Sequence, residues 1–267
     1  PTIVSIVFQY NPNKVAAAVA GGLYFSASLC LFTRLFMNKA WWGLCLPIGS
    51  TFMSIGLFMR IPMAMYPNSS LIFMAQEFYT LLTPAAFFAF NYILYGRFIV
   101  NCVDKRYSWI KPERVTRYFV ISDITAFLIQ GGGAGLQVSK NATTDKLGSN
   151  ILIAGIAVQA FSFAFFIFLV VLAWRSILRD GILPRQEPWG PILRILMFSS
   201  IAFMIRCNYR VAELVQGKNG YFLIHEIYFY LFDSLPLLIG ISTYIFYWPT
   251  KYLDNSAKTA HQMSDLV

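Results

Sequence analysis

Long apolar runs constrain this chain most: scanning for stretches able to cross about 30 Å of hydrocarbon picks out seven. They cover residues 15–35, 41–60, 71–95, 117–138, 151–174, 192–214 and 221–248. At roughly 20 residues each, seven membrane helices consume about 140 residues. The chain has 267, so only short loops remain and there is no room for a separate catalytic domain. The expected fold is all-α: a polytopic seven-transmembrane helix bundle forming one domain over 1–267. Composition agrees, with 57% hydrophobic and 12% charged residues and a mean hydropathy of +0.58, which excludes most soluble classes.

The net charge of +9 could suggest a nucleic-acid partner, but its distribution points elsewhere. With the N-terminus outside, the inner loops and tail carry Arg34, Lys39, Arg97, Lys105, Arg106, Lys111, Arg114, Arg117, Arg175, Arg179, Arg185, Lys251 and Lys258. Lys14, Arg60, Lys140, Lys146 and Lys218 then lie outside, so an excess of basic residues inside predicts an external N-terminus and a cytoplasmic C-terminus. Two sequons, Asn68-Ser69-Ser70 and Asn141-Ala142-Thr143, fall in loops on the external side and make Asn68 and Asn141 candidate glycosylation sites. All six tryptophans lie in inner loops or at inner helix ends, where amphipathic rings anchor helices. Cys30, Cys45 and Cys207 sit in apolar segments and Cys102 in a basic loop, which predicts neither a disulfide nor a cysteine zinc site. The start of the chain lacks the basic and short apolar regions of a cleaved signal, so the first span is expected to target the protein to the plasma membrane or an endomembrane.

The residues that carry chemistry are the charges inside the spans: Glu77, Asp123, Glu213, Glu226, Asp233, Arg206 and Arg210, with His225. At about 2.5–3.5 kcal/mol each, such charges must face one another or a cavity. Arg206, Arg210 and Glu213 fall at i, i+4, i+7, and Glu226, Tyr230 and Asp233 repeat that spacing. Glu77, Pro84 and Asn91 share a stripe of the third span, and Asp123, Gln130 and Gln137 a stripe of the fourth. Four polar stripes predict a cavity open to the outside, with Glu77, Gln137, Arg206, Arg210, Glu213, His225 and Glu226 in the outer half, Gln130 and Asp233 midway and Asp123 deepest. Five acids against two arginines leave an excess that calls for protonation or a bound cation. The run Gly131-Gly132-Gly133-Ala134-Gly135 is expected to interrupt the fourth helix, either through close packing or as an unwound wall of a substrate path. Pro47, Pro84 and Pro236 are expected kinks. No phosphate-binding loop motif occurs, and no cofactor or metal is expected; His225, the single histidine within a span, reads as a hydrogen-bonded cavity residue.

The string Ile205-Arg206-Cys207-Asn208-Tyr209-Arg210-Val211-Ala212-Glu213, followed by Gln216-Gly217, Gly220, His225-Glu226, Tyr230, Phe232-Asp233 and Pro236, resembles the signature of the fungal RTA-like (resistance to aminocholesterol) family, also called lipid-translocating exporters. Gly96-Arg97, Asp123 with Gln130 to Gly133, Leu147-Gly148, Gly155 and Gln159 extend the resemblance from Tyr10-Asn11-Pro12 to Pro249. It implies a seven-span membrane protein linked to resistance to toxic amphiphiles and to movement of sphingoid long-chain bases, with one branch linked to porphyrin uptake. Where the family closes its last span with His-Pro this chain has Trp248-Pro249, which points away from a porphyrin held by that histidine; it also has Gly56-Leu57 where the family often has Gly-Tyr.

The expected function is therefore transport or flipping of an amphipathic lipid or sterol-like molecule, with the ammonium head at Glu226, Asp233 or Glu77. An alternative is an intramembrane enzyme acting on a lipid or terpenoid, with Glu77 and Asp233 as paired catalytic acids. A lipid-sensing seven-span receptor is a second alternative, on topology alone.

Overall fold

The computed structural model describes residues 12–66, 68–137, 142–217 and 220–253. These form seven apolar spans long enough to cross a membrane. The first six are α1 (Lys14–Met37), α2 (Cys45–Met65, preceded by a 3₁₀ turn at Trp41–Gly43), α3 (Ser70–Cys102), α4 (Pro112–Gln137), α5 (Ala142–Arg179) and α6 (Gly190–Val215). A short helix α7 (Tyr221–Ile224) precedes the last span, which is composite: one turn α8 (Glu226–Tyr228), a π-helical segment Phe229–Ser234 and α9 (Leu235–Phe246).

Local chemistry sets the helix starts. The Asn13 side chain accepts from the backbone N–H groups of Val15 and Ala16, capping α1, and Ser69 does the same for Ile72 at the start of α3. Pro47 lies in the first turn of α2 and Pro236 in that of α9, where no intrahelical donor is needed. Pro47 does not interrupt a helix interior, contrary to the expectation of a kink there, whereas Pro236 follows a π-helical distortion within the last span; Pro84 and Pro62 are the interior prolines of α3 and α2.

Each span packs on its neighbour in sequence, α9 returns to α1, and α3 reaches across the ring to α6. The middle of the bundle is predominantly aromatic. Phe88 stacks on Phe163 with centroids 4.1 Å apart, and Phe90 and Tyr92 meet Tyr244 and Phe166 edge-on at 4.7 Å. Within this layer the Asn91 amide donates to Ser199 and Ser200 at 3.2 and 3.1 Å and accepts from the Tyr244 hydroxyl at 2.9 Å, tying α3, α6 and α9 together. Outside, Leu23, Phe25, Leu29, Phe161 and Phe168 form part of an exposed apolar belt, the surface that lipid covers.

Three expectations change. Residues 131–135 do not interrupt α4, which is helical throughout. The motif serves packing at Gly133: a Cβ there would lie 2.7 Å from the Leu152 backbone nitrogen, so only glycine lets α4 approach α5 so closely. The last span is not continuous over 221–248, because the backbone is extended at His225 and the span begins at Glu226. Pro236 cannot donate to the carbonyl of Phe232, and the preceding turn is widened into a π-helix. Finally, Arg60, assigned by hydropathy to the rim of the second span, is 1% exposed and faces the bundle interior.

Candidate functional site

The ionisable side chains gather at the end of the bundle that carries Asn68, where α2 and α6 finish and α3 and the last span begin. Asp233, 0% exposed, is the hub. Its Oδ1 accepts from Arg206 Nε at 3.1 Å and from Arg210 Nε at 2.5 Å. One turn along α6, Arg210 donates through Nη1 to Glu213 at 3.1 Å, and the Tyr209 hydroxyl donates to the other oxygen of that carboxylate at 3.1 Å. The i, i+4, i+7 spacing on α6 thus puts all three residues on one buried face, from which Arg206 and Arg210 reach the π-helical segment at Asp233 while Glu213 pairs back to Arg210.

Glu226 heads a second branch. It accepts from the Tyr230 hydroxyl at 3.0 Å and from the backbone N–H of Asn13 at 2.8 Å, so the last span is pinned to the start of α1. Arg60 lies 4.0 Å from Glu226 and 4.0 Å from the centroid of the Phe229 ring, which Arg210 also approaches at 5.3 Å. The π face of Phe229 is attractive to both guanidiniums and eases their proximity.

Glu77 is different. It is half-buried and, among the described residues, makes no hydrogen bond and no ion pair within 4 Å. It borders two cavities. One, of about 50 Å³, lies deeper, with Arg210 and Glu213 across from it. The other, of about 170 Å³, lies between α3 and α4. The cluster therefore contains three guanidiniums (Arg60, Arg206, Arg210) and four carboxylates (Glu77, Glu213, Glu226, Asp233), and Glu77 is the carboxylate outside the hydrogen-bonded network.

The remaining polar residues take other places. Asp123 sits lower in the bundle, 2% exposed, accepting from the Tyr92 hydroxyl at 3.0 Å, and Gln130 donates to Gln159 at 3.0 Å; both join α4 to its neighbours and neither touches the charge cluster. His225 is not a cavity residue: its exposed ring lies tilted against Tyr221 with centroids 4.4 Å apart, and its Nδ1 is 3.0 Å from the Tyr221 carbonyl. The Gln137 side chain and Asn141 lie outside the described residues, while Asn68 is exposed in the turn before α3. Among the described residues the polar stripes do not line a wide polar cavity. The charges are buried against one another, with narrow spaces beside Glu77. Glu77 and Asp233 are not hydrogen-bonded as an acid pair, since Asp233 is engaged by arginines. Among the described residues no three His, Cys, Asp or Glu side chains form a group able to hold a metal. Arg60 is the member that sequence reasoning misplaced; its lone position near the end of an apolar run resembles a loop charge, and only the depth of α2 separates the two.

A larger groove, about 530 Å³, runs between α1 and the last span and is walled by aliphatic side chains such as Val19, Leu23, Leu231 and Leu238. At the opposite end of the bundle, the basic residues cluster around short loops, where Arg106 pairs with Asp180 at 3.1 Å and Arg34 caps the Ile245 carbonyl at 2.9 Å.

Comparison with known proteins follows the same residues. The chain is 31% identical over 193 residues to protoporphyrin uptake protein 1 of Saccharomyces cerevisiae, covering 70% of this chain and 62% of that protein. It is 30% identical over 175 residues to protein RTM1 of Saccharomyces cerevisiae, covering 65% of this chain and 56% of that protein. It is 26% identical over 188 residues to the sphingoid long-chain base transporter RSB1 of the same yeast, covering 57% of this chain and 49% of that protein. The chain thus spans about half to three-fifths of the length of these relatives. No solved structure matches it. The match to the model of RTA1 like proteins runs over residues 46–256, from the start of α2 to beyond the last span and through every member of the charge cluster, and the chain belongs to that family.

Proposed function

We propose that this protein moves amphipathic lipids with a cationic head, sphingoid long-chain bases being the substrate class, between the leaflets of a plasma or internal membrane, and so confers resistance to toxic amphiphiles. The observation that carries this reading is the charge balance of the buried cluster. Four carboxylates face three guanidiniums, and the carboxylate left over, Glu77, borders open space inside the bundle. An ammonium group supplies the missing positive charge, and in a low-dielectric site such a pairing is strong. Glu77 is the primary acceptor. Asp233, Arg206, Arg210 and Glu213 hold the cluster in shape, and Glu226 with Tyr230 closes it toward α1. Asp123 and Gln130 join the fourth helix to its neighbours below it.

The name of RSB1 supports this class at the level of the family. A porphyrin carries carboxylates of its own, which a cluster with excess negative charge repels, and Trp248 occupies the position where a terminal histidine would bind it. The positive-inside distribution supports an orientation with Asn68 and Asn141 outside, which puts the cluster in the outer leaflet and leaves both sequons open to glycosylation.

The test is reconstitution of the purified protein in liposomes with a labelled sphingoid base, following both leaflet distribution and mass. Redistribution of unchanged lipid that is lost in Glu77→Gln supports translocation; a new mass identifies an enzyme, and redistribution unaffected by Glu77→Gln removes the role given to that carboxylate.

A further inference from the structure

We infer that a long-chain amine reaches Glu77 sideways from the bilayer, between α3 and α4, through the opening beside Gly131 and Gly135. The substrate class rests on the translocation reading above; the route rests on geometry.

The 170 Å³ cavity connects lipid to carboxylate. Its rim on α3 is Met74 and Phe78, which are 41% and 49% exposed on the lipid-facing surface, and its wall on α4 includes Phe127, Gly131 and Gly135. Glu77 lies between Met74 and Phe78 on the same face and also borders the deeper cavity facing Arg210 and Glu213. Arg210 is already bonded to Asp233 and Glu213, so Glu77 is the acceptor a cation meets first on this route. Glu77 is seven residues into α3, about 10 Å along the helix. An amphiphile can therefore place its head there while its chain stays in hydrocarbon.

The glycines support this route. Gly133 is required by packing, with backbone atoms of α5 at 2.7 and 2.8 Å from where a Cβ would stand. At Gly131 and Gly135 a Cβ would meet nothing within 4 Å, and neither has a positive φ. A helix interior glycine costs about 1 kcal/mol relative to alanine. Packing does not account for these two, whereas the gap they leave beside Glu77 does. Gly132, equally unpacked, does not line the opening and nothing in the structure explains it.

The larger groove between α1 and the last span makes a poor cation site. Glu226, the carboxylate beside it, is engaged by Asn13, Tyr230 and the nearby Arg60, and the groove wall is aliphatic apart from Asn13, Tyr230, Ser234 and Tyr24, whose hydroxyl donates to the Ser234 carbonyl. That groove suits neutral chains and serves as an internal control.

The experiment uses the full protein in phosphatidylcholine liposomes with two photoreactive probes, a diazirine-bearing long-chain amine and the alcohol of the same length, the labelled residues being located by mass spectrometry. Labelling of Met74, Phe78 or Phe127 is expected to favour the amine about tenfold, the ratio a charge-assisted hydrogen bond supplies. Labelling of Val19 and Leu231 in the other groove is expected to show no preference. The preference should disappear in Glu77→Gln and in Gly131→Leu/Gly135→Leu. Met74→Trp narrows the same opening from a lipid-exposed position on α3, and provides the same reading if the leucine variant fails to fold. Equal labelling between α3 and α4 by the two probes, or full preference in a folded plugged variant, overturns the route. Because labelling reads binding, the two ideas fail separately. Charge-selective labelling without flux removes translocation and keeps the route, while flux with charge-blind labelling between α3 and α4 does the reverse.

Discussion

The two halves of the bundle solve the same problem differently. Toward the basic end and through the middle, α3, α5, α6 and α9 meet through stacked aromatic rings and a neutral knot centred on Asn91. Toward the end that carries Asn68, α2, α3, α6 and the first turns of the last span bring guanidiniums and carboxylates together, with cavities beside Glu77. A hydrocarbon environment makes the first arrangement the natural one, since the amide of Asn91 and the hydroxyls around it are paired with one another. Burying ions is rarely the most stabilising solution, because desolvation can exceed the Coulombic gain. This half holds seven ionisable groups and leaves one carboxylate bordering open space, the feature on which the proposed cation site rests.

The comparison predicts a graded set of outcomes. Asp233→Ala should have the largest effect on stability, about 3–5 kcal/mol, because it leaves Arg206 and Arg210 buried without their shared acceptor. A loss of the folded fraction in detergent, read by size exclusion and thermal unfolding, checks this; a mild change would mean that the arginines find other partners. Phe88→Ala, in the aromatic half, should cost about 3 kcal/mol by opening a cavity against Phe163, and the surviving protein should keep its preference for amines over alcohols. Asn91→Val should cost about 1–2 kcal/mol through the lost bonds to Ser199, Ser200 and Tyr244. Its melting shift should be partly recovered by Tyr244→Phe, which removes the stranded hydroxyl.

Glu77→Gln sharpens the comparison most, because stability and function should separate there. With no ion pair to break, stability should change by less than about 0.5 kcal/mol, while transport of a long-chain amine falls at least about tenfold. A large loss of stability would instead make Glu77 a packing residue. The smallest effect is expected for His225→Ala, whose exposed ring meets its aromatic neighbours and makes one local contact with the Tyr221 carbonyl. Both unfolding and transport should stay near those of the parent protein.

Much of the fold is legible locally. Runs of about 20 apolar residues identify all seven spans, and helical spacing groups Arg206, Arg210 and Glu213 correctly onto one face, because both signals depend on the periodicity of a single helix. The break at His225 was less visible. The preceding Tyr221-Phe222-Leu223-Ile224 segment is as apolar as the span itself, so hydropathy merges the two. Arg60 was misplaced for a related reason, since α2 continues a further turn through Pro62 to Met65 and carries the arginine inward.

The number of spans, the uneven distribution of charge between the two ends and the excess of acids over bases within the spans are all legible in the chain read one segment at a time. Which acid is left over is set by how the helices pack. Pairing depends on the axial offset and rotation of one helix against another: the widened turn before Pro236 aims Asp233 at two arginines, the depth of α2 brings Arg60 beside Glu226, and the close approach at Gly133 sets α4 so that open space remains next to Glu77. None of these offsets is a property of one segment, so no periodicity within a segment encodes them.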